Sequence, residues 1–131
     1  MLILIIDDDS EDSELFCEAV SEIDTTISCH RAKDGKEALQ WLNSESASLP
    51  DYIFLDINMP VMNGRECLIE IKKDRRFSSI PVIMYSTTSD TNEIRGYYAL
   101  GAHDFLIKPP NFNKLVEALG SIIVSRKSRI R

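Results

Sequence analysis

The stretch "LIIDDDSEDSE", residues 4–14, decides how the rest of the chain is read. With Leu2 and Ile3 before it, it opens on five apolar residues in a row. That pattern suits a strand covered on both faces rather than one that alternates between core and water. The run then meets Asp7, Asp8 and Asp9, with Glu11, Asp12 and Glu14 close behind. Like charges repel and carboxylates desolvate poorly. Three aspartates at the end of a buried strand therefore need a physical cause.

Working outward, similar apolar runs recur and predict strands over Leu2–Ile6, Thr26–His30, Tyr52–Leu55, Val82–Tyr85 and Asp104–Ile107. "TISCH" is the most polar of them and suits a sheet edge. Amphipathic segments lie between and predict helices over Asp12–Ser21, Gly35–Ser44, Gly64–Lys73, Asn92–Leu100 and Phe112–Val124. Ser10, Asp34, Asn63, Asp90 and Asn111 stand where N-caps or their neighbours belong, and Gly101 where a helix would end. Five βα units need crossover connections, so the sheet should be parallel and covered on both faces. The expected fold is α/β, a doubly wound five-stranded parallel sheet of flavodoxin-like order 2-1-3-4-5. Its topological switch point falls between the first and third strands.

Bulk properties narrow the function classes. The 131 residues suit one domain, and 44% hydrophobic with 27% charged residues argues against disorder. A net charge of -6 speaks against coating nucleic acid. "SRKSRIR" at the end is basic, and its ordinary reading is the solvated end of the last helix. We therefore expect a domain over 1–125, a short basic tail over 126–131 and no output domain. Cys17, Cys29 and Cys67 lack any C-x-x-C spacing and suit small, mostly buried thiols in a reducing cytoplasm. "MLILII" is too short to span a bilayer, so no membrane association is expected.

The strand ends carry the chemistry. Parallel strands place their carboxyl ends on one edge, where open α/β sheets bind ligands. The first strand ends in Asp7 and Asp8, the third in Asp56, the fourth in Ser86, Thr87 and Thr88, and the fifth in Lys108. Three carboxylates sharing a pocket raise one another's pKa unless a cation neutralises them, and Mg²⁺ with its preference for oxygen ligands fits. Lys108 and the Ser86 hydroxyl suit a phosphoryl group. The set reads as a phosphoryl-transfer site with Asp56 as the best carboxylate nucleophile. Each residue alone has a plainer role: a helix-dipole acid, a turn aspartate, a loop serine, a surface lysine. "KPP" at 108–110 is either a strand stop or a cis bond that turns the chain after Lys108.

"LIIDDD", "YIFLDINMPVMNG", "IPVIMYST" and "GAHDFLIKPP" together resemble the receiver domain of two-component response regulators, of the single-domain chemotaxis-regulator kind. The resemblance covers about residues 2–124. It implies that Asp56 accepts a phosphoryl group from a sensor histidine kinase or histidine phosphotransfer protein. It further implies Asp8 as a direct Mg²⁺ ligand (Mn²⁺ being possible), Asp7 acting through water, and the Asn58 carbonyl completing the protein's share. Ser86 would be the switch hydroxyl and Lys108 the phosphate-binding lysine, with a cis bond before Pro109. Phe105 would be the aromatic switch residue, without the hydroxyl of the more usual Tyr. Asn58, Thr87 and Thr88 would tune the switch or its dephosphorylation. Pro110 departs from the commoner Phe. Output would pass through the surface of the fourth helix, fifth strand and fifth helix, where Ile94 and Tyr98 form an apolar stripe, or by relay of the phosphoryl group. The chain would be a monomer or a phosphorylation-dependent homodimer, not an enzyme on external substrates.

Three alternatives have discriminating features. An aspartyl-phosphate phosphatase generally carries a second Asp two residues after its nucleophile, and here Asn58 stands there. A flavodoxin-like cofactor binder needs a Ser/Thr/Gly-rich loop after the first strand, and this loop is acidic. A pseudo-receiver that only docks other proteins usually has a damaged pocket.

Overall fold

The computed structural model describes residues 1–44 and 48–130, with side chains up to residue 123. Five strands alternate with five helices: β1 Leu2–Ile6, α1 Ser10–Ile23, β2 Ser28–Ala32, α2 Gly35–Leu42, β3 Tyr52–Leu55, α3 Gly64–Lys73, β4 Val82–Ser86, α4 Thr91–Ala99, β5 Asp104–Ile107 and α5 Phe112–Ile130. All pairings are parallel in the order β2-β1-β3-β4-β5, as expected from the sequence.

The two-residue period of the strands divides the core between the faces. Leu4, Ile6, Ile53, Leu55, Val82 and Met84 point to one side, against Leu42 of α2, Leu68 and Ile71 of α3 and Tyr97 of α4. Ile3, Ile5, Phe54, Ile83 and Tyr85 point to the other, against Phe16 and Val20 of α1 and Leu115 and Leu119 of α5. Because both faces are covered, β1, β3 and β4 bury nearly every side chain, which is why their sequences show no alternation.

Helix starts follow cap chemistry. Asp34 and Asp90 each accept the amide of the third helical residue, and Asn63 forms a reciprocal capping box with Glu66. The Asn111 side chain accepts the Lys114 amide in the same way. The cap of α1 is Asp9, which accepts the Glu11 and Asp12 amides, so the helix begins at Ser10 rather than Asp12. β2 is shifted by two residues from its expected span because Asp24 takes both the amide and the hydroxyl of Thr26 into a turn. The strand continues instead to Ala32, whose carbonyl accepts the Asp7 amide at 3.1 Å. α5 runs past Val124 to Ile130; the side chains of the basic tail lie outside the described residues. Among the described residues no helix is long and apolar enough to cross a membrane.

Candidate functional site

β1 and β3 run side by side with Ile6 opposite Leu55, so their next residues, Asp7 and Asp56, emerge together at the carboxyl edge. The Asp56 amide donates to the Ile6 carbonyl at 2.9 Å, extending the ladder into the site. Asp7 and Asp56 are 2% and 6% exposed, whereas Asp8 faces water. Carboxylate oxygens of the three lie within 4.8 Å of one another.

Each buried carboxylate is tethered. Asp7 Oδ1 accepts the Asp9 amide at 2.9 Å, which turns the chain so that Asp9 can cap α1. Asp56 Oδ1 accepts the Ile57 amide at 2.9 Å. Burial raises the Asp56 pKa to about 6, with the Asp7 charge adding to the shift and Lys108 opposing it. Burial likewise raises Asp7, against its hydrogen bond from Asp9 and the charge of Lys108. The cluster thus carries more negative charge than the protein around it compensates. Three hard oxygen donors in that state fit a divalent cation of the Mg²⁺ or Mn²⁺ type, with water or substrate oxygens completing the shell.

Lys108 arrives from the end of β5, its amide donating to the Ser86 carbonyl at 2.7 Å. Its ammonium lies 3.1 Å from Asp7 Oδ2, 2.9 Å from Asp12 Oδ2 and 3.8 Å from Asp56 Oδ1. The Tyr85 ring lies beneath it, 5.1 Å from Nζ to centroid. Burial works against the lysine's charge, but the hydrogen bond to Asp12 and the charges of Asp7 and Asp56 outweigh it and hold the pKa above its ordinary value.

No cis peptide bond occurs among the described residues, so the Lys108–Pro109 bond is trans, correcting the expectation drawn from the family. Lys108 reaches the carboxylates with a trans bond, which X–Pro peptides favour by about 0.5–1 kcal/mol. No sharp turn is needed to aim it.

Ser86 is buried at the end of β4, and its Oγ accepts the Thr88 amide at 3.3 Å. Thr88 donates its hydroxyl to Glu93 at 3.1 Å, tying the β4–α4 loop to the first turn of α4, while Thr87 is exposed. Phe105 is half-buried opposite Met84, with its ring 6.2 Å from Tyr97. Of the expected apolar stripe, Ile94 is half-buried, and Tyr98 is 44% exposed with its hydroxyl on Asp104 at 3.0 Å.

Asn58 lies exposed in the β3–α3 loop. This loop is pressed against the start of α3: a Cβ on Gly64 would lie 2.3 Å from the Asp56 carbonyl oxygen. Only glycine permits that approach. Val61 in the same loop has φ of 69°, unusual for a β-branched residue, and its side chain is 77% exposed.

Sequence reasoning missed Asp12, which it read as the first residue of the expected helix Asp12–Ser21. Its local signal was its place three residues after the Asp9 cap, on the turn nearest the sheet edge; its partner lies 96 residues away. Tyr85 was read only as the last residue of the expected strand Val82–Tyr85, and nothing local marks it as the floor beneath an ammonium.

Comparison with known proteins agrees with this fold. Residues 3–120 match the family described as response regulator receiver domain. The chain is 30% identical to the probable methanogenesis regulatory protein FilR2 of Methanothrix harundinacea, over 92% of this chain and 80% of that protein. It is 32% identical to the response regulator Rcp1 of Synechocystis, over 92% and 85% respectively. Among solved structures, the phosphorylated cyanobacterial phytochrome response regulator RcpA superposes with a TM-score of 0.84 at 33% identity, covering 92% of this chain and 89% of that one. The Mn²⁺-bound form of response regulator Rcp1 superposes with a TM-score of 0.81 at 29% identity, covering 92% and 90%.

Proposed function

The chain belongs to the response regulator receiver domain family, and on that premise we propose that Asp56 is the phosphoryl acceptor of a signalling switch. The observation that carries this reading is the Asp56 carboxylate itself. It is buried, raised to about 6 by that burial and by Asp7, and flanked at 3.8 Å by the Lys108 ammonium. Its Oδ1 is engaged by the Ile57 amide, which leaves Oδ2 to attack. The donor is a phosphohistidine on a sensor kinase or a histidine phosphotransfer protein. Oδ2 forms the new O–P bond, the P–N bond breaks, and the released imidazole takes up a proton.

Asp8, Asp56 and the Asn58 carbonyl would hold the Mg²⁺ (or Mn²⁺), with Asp7 acting through water. A cation held there would offset the repulsion among the carboxylates and between Asp56 and the incoming anionic phosphoryl group. Asp7 and Asp12 keep Lys108 poised, and the ammonium turns to the phosphoryl oxygens once they arrive. The Ser86 hydroxyl gives up the Thr88 amide to donate to the same group. That loosens the β4–α4 loop, which Thr88 ties to Glu93, and Phe105 follows into the space released. The α4–β5–α5 surface, including Tyr98, is thereby redistributed between two states for a protein partner or a second copy of the chain. Water attack at phosphorus, paced by the residues at positions 58 and 88, restores Asp56 and ends the signal. The basic tail is assigned no part.

Incubation with acetyl phosphate and Mg²⁺, followed by intact mass, tests the proposal. One phosphoryl group should be added to the native chain and none to Asp56→Asn. No modification of the native chain would leave a docking module in place of a switch.

A further inference from the structure

Away from the carboxylate site, α1 and β2 bring two cysteines together. Ser13 of α1 accepts a hydrogen bond from Arg31 Nε of β2 at 3.1 Å, and Arg31 also reaches the Ser10 carbonyl at 3.1 Å. These contacts fix how helix and strand lie. A crossover helix runs antiparallel to its strands, so one turn onward from Ser13 corresponds to two residues back from Arg31, each step covering about 6 Å. Those positions are Cys17 and Cys29. Both are half-buried against the same apolar cluster, near enough for each thiol to shift the acidity of the other.

We propose that Cys17 and Cys29 form a dithiol that a hydroperoxide closes to a disulfide, stapling α1 to the edge strand β2. The polarity of the pair sets the order of events. The neighbouring Cys29 thiol and the Arg31 guanidinium hold the Cys17 thiol below its ordinary range, and the Cys17 thiol together with burial raises Cys29. The Cys17 thiolate attacks the peroxide. An S–O bond forms, the O–O bond breaks, and the departing oxygen leaves as water or alcohol after protonation. Cys29, losing its proton, then attacks the sulfenic sulfur: the S–S bond forms and hydroxide leaves as water. The two thiols lose two electrons and two protons in total, and the peroxide accepts them. In a reducing compartment such a bond is transient and serves sensing rather than structure. The bond would lie two helical turns along α1 from Asp9, on the same helix that presents Asp12 to Lys108.

Cys67 is the internal control. It is a fully buried residue of α3, with its thiol pushed up to about 12 by that burial. The test treats the reduced full chain with excess hydrogen peroxide, then denatures and alkylates it before intact mass and peptide mapping. The expected product is a monomer short of two hydrogens, carrying one alkyl group on Cys67 and a reducible cross-link between the peptides of Cys17 and Cys29. Dithiothreitol should restore three alkylatable thiols. Cys17→Ser and Cys29→Ser should each abolish the cross-link and Cys67→Ser retain it. Cross-link mapping on the native chain decides the matter even where a serine variant folds poorly. The Asp56→Asn chain should form the same bond, so the result is independent of the phosphoryl assignment. Three alkylatable thiols after treatment, an intermolecular disulfide alone, or peroxide oxidation confined to one cysteine would overturn the proposal.

Discussion

The two halves of this sheet are built to different tolerances. Around β1 and β3 every side chain from Ile3 to Ile6 and from Ile53 to Leu55 is wholly buried, and the loop after β3 leaves no room for a Cβ at Gly64. Around α4 and β5, α4 buries only Tyr97, Phe105 is half-buried, and Tyr98 and Ile107 are 44% and 45% exposed. The candidate site straddles the seam: Asp7 and Asp56 stand on the tight half, Ser86 lines the seam, and Lys108 comes from the loose one. A chemical change at Asp56 would therefore displace the loose side, where few packed contacts are lost, rather than the tight one.

Glycine substitutions test that contrast most severely. Gly64→Ala would set a Cβ 2.3 Å from the Asp56 carbonyl oxygen and 2.7 Å from Ile57 Cα, both backbone atoms with no way to yield. Urea unfolding should show a loss of about 3 kcal/mol or more; native-like stability would mean that the tight half is not tight.

Lys108→Ala asks how far the seam depends on one charge. It strands the buried Asp7 without its cation, at a cost of about 3 kcal/mol at neutral pH that fades in acid as the carboxylates protonate.

The pH dependence of Asp56 comes next in size. Its pKa rises from 3.8 to about 6, so between those values the folded chain holds a proton that the unfolded chain has released. Stability falls as pH rises through that window, and the penalty of the ionised form is complete above it. Asp56→Asn lacks the penalty. It should be more stable than the native chain by on the order of 2 kcal/mol above pH 6 and by little below pH 4. Thermal melts at both ends of the range would read this, and added Mg²⁺ should narrow the gap.

The smallest effect should fall on the loose half. Gly96 lies inside α4, and nothing lies within 4 Å of where its Cβ would be. Gly96→Ala should stabilise the chain by about 0.5–1 kcal/mol through helix propensity alone. A loss instead would show that α4 is packed more closely than its burial suggests.

Where local chemistry sets an element, the sequence was enough to find it. α3 starts at a capping box and ends in two lysines, and its span was legible to the residue. So was β3, bounded by its apolar run. β2 was misplaced because the side chain of Asp24 competes for Thr26, while its last residues are held by pairing with β1 rather than by their own composition. The thiol pair was unreadable for a similar reason. Cys17 and Cys29 have no spacing that signals contact; the contact exists because Arg31 sets the height of α1 over the edge strand.

By itself, then, the sequence determined the order of elements, the parallel sheet and the edge on which Asp7, Asp8, Asp56, Ser86 and Lys108 gather. Strand periodicity and strand ends are properties of adjacent residues, and parallel pairing puts all those ends on one side. Tertiary structure alone decided which of those charges touch. Asp12 holds Lys108, and Lys108 lies nearer Asp7 than Asp56, because the lysine side chain reaches from the end of β5 to the first turn of α1. Of the acids in "DDDSED", Asp7 and the exposed Asp8 cluster with Asp56, Asp9 caps the helix, and Asp12 turns back to the lysine. Only a folded helix can bring a residue six places past the strand back to the strand's own edge.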